Sequence, residues 1–371
     1  MNEGSGHRNV YRAPRLQLTP GDFTFVKRVG DGSFSEVYHV KRNSNNKDYA
    51  IKVMDKNLII REKKQKYVAT ERQILDKMDF VGVASLECTF QDAKSLYMVL
   101  ELCPGGELFD QIRKRKRLGL EAARFYAAEV VLILQYLRES RVIHRDVKPE
   151  NLLLTETGHL KLIDFGCAKA IDEPAEAEGG EGLPPPPEVG PGTPRADLAG
   201  KRKCSLTGTA DYVSPEMLNG CPQTYAADLW ALGCCVFQML TGSPPFRAAS
   251  EYLTFERVVA GSFEFPDGFP PVAADLVGRL LKLDPSERLG ASDLGDLKEH
   301  PFFEEVAWDD LFNTEAPEFI PPAQPTQEEL DSDWELQSMN EMVQNKLRAG
   351  AECTPVSYTP NPQWAPGHNA S

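Results

Sequence analysis

Apolar residues in the first hundred positions follow two rhythms. Phe23 to Val29 and Val37 to Val40 are rich in aromatic and β-branched residues, and both read as strands. Tyr49 to Met54 reads as the next strand, where a period of two places Ala50 and Lys52 on one face. The period then lengthens. Between Arg61 and Met78, Val68, Glu71, Leu75 and Met78 recur at spacings of three, four and three, which predicts one face of a helix. Glu71 is therefore a carboxylate on a mostly apolar stripe. A buried carboxylate without a partner is strongly destabilising, so the pattern calls for a cation to meet it. Further on, the adjacent Cys234 and Cys235 lie in an apolar helix and read as core.

The patterning lapses twice. Asp172 to Pro194 is rich in Glu, Gly and Pro and contains four consecutive prolines, Pro184 to Pro187. Such a segment cannot bury apolar surface, so disorder is expected there. From Glu304 onward the chain is acidic and proline-bearing, with Trp308, Phe312, Trp334 and Trp364 spaced along it, and part of it is expected to pack back onto the body.

Composition narrows the class. The 371 residues are 41% hydrophobic, enough for a sizeable core. A net charge of −14 argues against nucleic acid as a primary partner. The one dense basic cluster, Arg113 to Arg117, reads as a solvated helix face, with contact to acidic lipid or substrate as the alternative. The 8 cysteines show no paired metal spacing, which fits a reducing compartment. The N-terminus has no apolar signal region, and no run of about 18 apolar residues offers a membrane anchor. The expected location is cytoplasmic.

Two short stretches carry the chemistry. His144-Arg145-Asp146-Val147-Lys148-Pro149-Glu150-Asn151 is followed by Asp164-Phe165-Gly166. Asp146 suits accepting a hydrogen bond from a substrate hydroxyl, and Lys148 suits neutralising charge on a moving phosphoryl group. Asn151 and Asp164 offer the hard oxygen ligands that magnesium prefers. These stretches resemble the catalytic and metal-binding loops of protein kinases, and Lys148 resembles the serine/threonine class.

The resemblance extends in both directions and implies ATP with Mg2+ as cofactors. Val29-Gly30-Asp31-Gly32-Ser33-Phe34-Ser35-Glu36-Val37 resembles a glycine-rich phosphate loop, and its flanking strands distinguish it from a dinucleotide fingerprint, which runs into a helix. Ser35 stands where a third glycine often sits. The nucleotide site implied by the family comprises Gly30, Gly32, Val37, Ala50, Lys52, Leu100 at the gatekeeper position, backbone groups of Glu101 and Cys103, Glu107 toward the ribose, Leu153 beneath the adenine, and Asp164. Lys52 is then the cation for Glu71. Leu75, Leu86, His144 and Phe165 match a stacked apolar spine, for which ordinary core packing is the alternative. Gly208 to Glu216 resembles the end of an activation segment, with Thr209 in the catalytic set and Glu216 paired to Arg288. Asp228 to Gly233 matches the helix anchor. No catalytic position is missing, which argues against an inactive relative.

The implied fold is α+β and bilobal: a small antiparallel-sheet lobe with one regulatory helix, and a larger, mainly helical lobe. The expected organisation is a flexible segment at 1–19, a catalytic domain at 20–303 and an acidic tail at 304–371. The lobes span about 20–101 and 106–303, with a low-complexity insert at 172–203. The insert is expected to leave the core intact and tune access.

Within the kinases, Arg124 to Val131, Gly242 to Arg247, Glu251 to Phe255 and His300 to Phe303 resemble the AGC group, and within it the phosphoinositide-dependent kinases. Ser95 to Met98 and Glu107 to Ile112 resemble plant and algal members. That family phosphorylates activation loops of other AGC kinases, the implied partners. Ser205 matches its autophosphorylated site, with Thr207 as rival acceptor and Arg145 and Lys169 as phosphate-pairing cations. Thr70 is not basic, so coupling of that phosphate to the Glu71 helix is expected to be weak. No hydrophobic motif of Phe-x-x-Phe-Ser/Thr type follows Glu304. In the family, a small-lobe pocket captures that motif from the substrate, and the matching positions are Lys56, Ile59, Ile60, Val68, Gln91 and Leu96. Small-lobe core or surface is their alternative reading. No strand-rich stretch long enough for a pleckstrin homology domain follows, so the chain either lacks it or is truncated. The rival functions are an AGC kinase acting on basic peptides and a docking scaffold without turnover.

Overall fold

The computed structural model describes residues 18–32, 34–171, 210–323, 326, 333 and 336–341. Five strands form an antiparallel sheet: β1 (Phe23–Gly32), β2 (Ser35–Arg42), β3 (Asp48–Asp55), β4 (Leu86–Gln91) and β5 (Ser95–Glu101), in the order β1-β2-β3-β5-β4. Strand alternation gives the sheet two apolar faces. Phe23, Phe25, Tyr38, Ile51, Tyr97 and Val99 cluster on the outer face, where Phe90 stacks on Tyr97 at 4.6 Å. Met54 and Met98 on the inner face pack with Ile59 and Val68 from two helices.

Those helices correct an expectation. The helix foreseen over 61–78 is shorter, α2 (Gln65–Leu75), and a separate helix that was not foreseen, α1 (Lys56–Arg61), precedes it. Asp55 caps α1, its carboxylate accepting from the Leu58 N–H at 2.8 Å. Lys63 turns left-handed at φ 54°, which ends that helical run before α2 begins. Met78 lies past the end of α2, yet it still packs on the main core.

The larger lobe begins with β6 (Gly106–Glu107), α3 (Leu108–Arg115), α4 (Leu120–Glu139) and β7 (Val142–Ile143). There follow β8 (Leu152–Leu154), β9 (Leu160–Leu162) and β10 (Lys169–Ala170), with sheets ordered β6-β8-β9 and β10-β7. The later helices are α5 (Pro215–Leu218), α6 (Ala226–Thr241), α7 (Glu251–Ala260), α8 (Pro271–Leu280) and α9 (Leu294–Lys298). Every residue of α6 from Ala226 to Leu240 is buried, the mark of a central helix. Cys234 and Cys235 are core, as the pattern predicted. Gly242 ends α6 at φ 90°, where a Cβ would collide with the Lys116 carbonyl oxygen. The architecture is α+β and bilobal.

The tail returns to both lobes. Trp308 packs on Phe303, and Phe312 meets Phe80 edge-on at 5.6 Å. Buried Gln111 clasps the backbone of Ile320 with two bonds of 2.7 Å, donating to its carbonyl and accepting from its N–H. Arg115, in the basic cluster, donates to the Glu318 carbonyl at 2.8 Å. Leu336, in a helical stretch at 336–341, seats in the outer face of the small sheet. The 172–203 insert, Ser205, Thr207, Thr209, Trp334 and Trp364 lie outside the described residues.

Candidate active site

Sheet register assembles one wall of the site. Gly30 pairs with Val37, Val37 with Lys52, and Lys52 with Met98, so four strands contribute neighbouring positions. Ala50 pairs with Leu100 one step along the same face. Helix α2 packs beneath and supplies the carboxylate its periodicity foretold. Lys52 Nζ lies 2.7 and 2.8 Å from the two oxygens of Glu71. Burial opposes the charged ammonium, but the fields of Glu71 and Asp164 outweigh it and raise the Lys52 pKa. Burial raises the Glu71 pKa as well, with the Lys52 ammonium pulling it back down.

The opposite wall is built from the catalytic loop and the loop after β9. Asp146 accepts from Lys148 Nζ at 2.9 and 3.1 Å and from Asn151 Nδ2 at 3.0 Å. Burial raises the Asp146 pKa, with Lys148 pulling the other way. Asn151 Nδ2 also donates to the Asp146 carbonyl at 2.8 Å, which leaves the amide oxygen as the acceptor. Asp164 adopts a left-handed conformation at φ 60°, ψ 76°, its carboxylate accepting from the Gly166 N–H. It stands 3.9 Å from Lys52 Nζ, and that ammonium depresses its pKa.

The next residue, Phe165, is fully buried and meets the His144 ring edge-on at 4.8 Å. Burial lowers the His144 pKa to about 4, so the ring is neutral near pH 7. Its Nε2–H donates to the Ile163 carbonyl at 3.1 Å and Nδ1 accepts from the Asp146 N–H at 3.3 Å, which fixes one tautomer. Asp228 of α6 accepts from the His144 and Arg145 N–H groups at 2.8 Å each. The central helix therefore holds the catalytic loop by its backbone.

A sequence model of the protein kinase domain matches residues 23–303. The chain belongs to the protein kinase family, on its phosphoinositide-dependent branch. It is 46% identical over 319 residues to 3-phosphoinositide-dependent protein kinase 1 of Arabidopsis thaliana, covering 85% of this chain and 62% of that protein. The Homo sapiens protein of the same name is 41% identical over 301 residues, covering 80% of this chain and 50% of that protein. Putative 3-phosphoinositide-dependent protein kinase 2 of Homo sapiens is 40% identical over 301 residues, covering 80% of this chain and 70% of that protein. The chain thus spans half to three-fifths of the first two relatives.

The remaining kinase positions fall around this frame. Glu101 ends β5, Cys103 is buried in the linker, and Glu107 on β6 pairs in register with Leu153 on β8. Burial, reinforced by Asp110 and Glu150, pushes Glu107 up to about 7. Burial pushes the Cys103 thiol to about 12, which leaves it unreactive near neutrality. The family's pair of Glu216 and Arg288 is closed twice at 2.7 Å. The six docking positions divide. Ile59 and Val68 are core, Ile60 is 48% exposed, and Lys56, Gln91 and Leu96 are half-buried around them. Lys56 donates to the Asp92 carbonyl. Lys169 lies exposed on β10 opposite Ile143, while the Arg145 guanidinium is turned onto backbone carbonyls.

Two residues escaped the sequence reading. Lys161 on β9 is buried; it lies 2.9 Å from a Glu101 carboxylate oxygen and donates to the Val81 carbonyl at 2.8 Å. A lysine between two leucines in a strand was the available signal, by the same logic as Glu71. Gln223, a partner of Arg145, left no signal at all.

The donor set fits magnesium. Asn151 and Asp164 offer hard oxygens from two loops joined by the Ile163 N–H, which donates to the Asn151 carbonyl at 3.0 Å, and magnesium commonly takes its other ligands from water and phosphate. The described residues hold no cluster of three or more His, Cys, Asp or Glu suited to a metal. They include no helix long and apolar enough to cross a membrane.

Proposed function

We propose that the protein is a serine/threonine kinase that transfers the γ-phosphoryl group of Mg-ATP to activation-loop threonine or serine of other AGC kinases. One observation carries this reading: Lys52 is closed onto Glu71 while Asp164 lies 3.9 Å from its ammonium, which supports Lys52 as a phosphate-binding cation beside a metal-binding carboxylate. Lys52 would steady the nucleotide phosphates, with Glu71 fixing the direction of its ammonium. Asp146 would accept the hydrogen bond of the incoming hydroxyl and orient its oxygen. Lys148, already bound to Asp146, would meet charge developing on the transferred group. Asn151 and Asp164 would hold magnesium, which would supply positive charge against the phosphate oxygens.

The family resemblance supports the substrate class. Ile60, Leu96, Gln91 and Lys56 would form the mouth of a docking groove floored by Ile59 and Val68, suited to an aromatic hydrophobic motif. Ser205 would be the autophosphorylated residue and the cytoplasm the site of action.

The test is a phosphosite-mapped assay with Mg-ATP and an AGC kinase domain, with and without its hydrophobic motif. Motif-dependent phosphate on the partner's activation loop is the expected outcome. Transfer that ignores the motif would discard the docking groove, and no transfer above an Asp146→Ala control would discard the enzyme.

A further inference from the structure

Arg145 belongs to the catalytic loop and reaches across to the loop after Asp164, and three partners hold its guanidinium. Nε donates to the Cys167 carbonyl at 2.6 Å, and one terminal nitrogen reaches the Ala168 carbonyl at a long 3.5 Å. The other terminal nitrogen donates to Gln223 Oε1 at 2.9 Å. Arg145 itself sits in the left-handed region at φ 68°, a conformation that surrounding contacts must maintain.

The residues that follow Gln223 are anchored. Gln223 lies three residues before α6, and the next residue, Thr224, accepts from the Ala226 N–H at 3.3 Å. Tyr225 is covered by the Arg138 guanidinium at 5.6 Å. The same helix supplies Asp228, which holds the Arg145 backbone N–H at 2.8 Å. Helix α6 and its approach therefore grip Arg145 at both ends: a carboxylate at the backbone and an amide at the tip.

We propose that Gln223 is a positioning residue for phosphoryl transfer, tying the catalytic loop to the metal-binding loop through Arg145. The inference rests on the kinase reading above. It adds a residue that touches neither nucleotide nor substrate. A guanidinium has only donors, so an amide oxygen satisfies it without cancelling its charge. Without that oxygen, the outer edge of Arg145 keeps only the long contact to Ala168. The chain from Cys167 back to Asp164 then loses part of its restraint.

The experiment compares Gln223→Leu and Gln223→Glu with the unaltered chain. It reads kcat and KM for Mg-ATP, and amide hydrogen exchange over residues 164–170. For Gln223→Leu we expect kcat to fall about tenfold with KM for ATP within about twofold, the scale of one lost hydrogen bond to a charged group, felt in the catalytic step rather than in nucleotide binding. Exchange over 164–170 should quicken. Gln223→Glu restores an acceptor at the same place and should return both readings toward the original.

Unchanged kcat and exchange in Gln223→Leu would overturn the proposal. So would equal losses in both variants, which would mark a general packing role. If the unaltered chain transfers no phosphate above an Asp146→Ala control, the kinase reading fails and takes the catalytic role of Gln223 with it. Exchange over 164–170 would still report separately whether Gln223 restrains that loop.

Discussion

Lys52 with Glu71, and Arg288 with Glu216, are both buried cation–carboxylate pairs closed by two contacts of 2.7 to 2.8 Å. Their surroundings differ. Arg288 is nearly saturated: besides Glu216 it donates to the Ala226 and Lys282 carbonyls, so four of its five N–H groups are bonded, and its head lies over Trp230 at 5.1 Å. Among the described residues Lys52 has no such further bonds, only a third charge, Asp164, at 3.9 Å. A pair with nearly all its donors engaged locks one arrangement. A pair with spare donor capacity beside a second carboxylate is suited to taking on a phosphate. Similar distances therefore serve a fixed joint in one lobe and a receptive one in the other.

The comparison can be broken most sharply at the third charge. Asp164→Ala should reduce transfer about a thousandfold, the scale of losing a preorganised electrostatic partner, while the melting temperature changes little. Retained turnover would remove the metal role assigned here. The pairs themselves should then separate. Arg288→Met leaves a buried carboxylate stranded and should cost about 3–5 kcal/mol of unfolding free energy by denaturant titration. Lys52→Met should cost less stability, because Glu71 can take a proton in its buried site, yet lower kcat about a hundredfold. Equal stability losses would refute the distinction.

A smaller effect is expected at the proposed docking groove. Leu96→Glu should weaken phosphorylation of a docking kinase partner about tenfold and leave a short peptide nearly untouched. Equal loss on both substrates would count against the groove.

The smallest effect concerns a third pair, His159 with Glu129 at 2.6 Å. The hydrogen bond that His159 donates to Glu129 raises the His159 pKa against the effect of burial, and the Thr314 carbonyl of the tail adds to the rise. A raised histidine stabilises the fold fully below its ordinary value of about 6.5, and that contribution is lost as pH climbs through the raised one. Tail protection, read by hydrogen exchange near Thr314, should therefore decline as pH rises above about 6.5 and through the raised value. A His159→Gln variant should flatten that response.

Much of the site was legible because its motifs resemble those of a known family, with simple periods placing them on strands and a helix. Glu71 announced a buried partner by sitting on an apolar stripe, and the resemblance named Lys52 as that partner. The limits of α1 and α2 were not legible, since they turn on Asp55 capping and on the left-handed Lys63, which no apolar period encodes. Gln111 and Ile320 are 209 positions apart and share no pattern, so their contact is visible only once the chain has folded. Gln223 reads as an ordinary loop residue until the position of Arg145 is known.

The Gln111 clasp bears on where the folding unit ends. The kinase match closes at Phe303, yet both amide groups of this buried glutamine are satisfied only by Ile320. A chain cut at the family boundary would leave a donor and an acceptor stranded beside β6 and uncover Phe80. The smallest autonomous piece of this protein therefore runs at least to Pro322, which packs against Gly106, and any shorter expression product should prove fragile at the junction between its lobes.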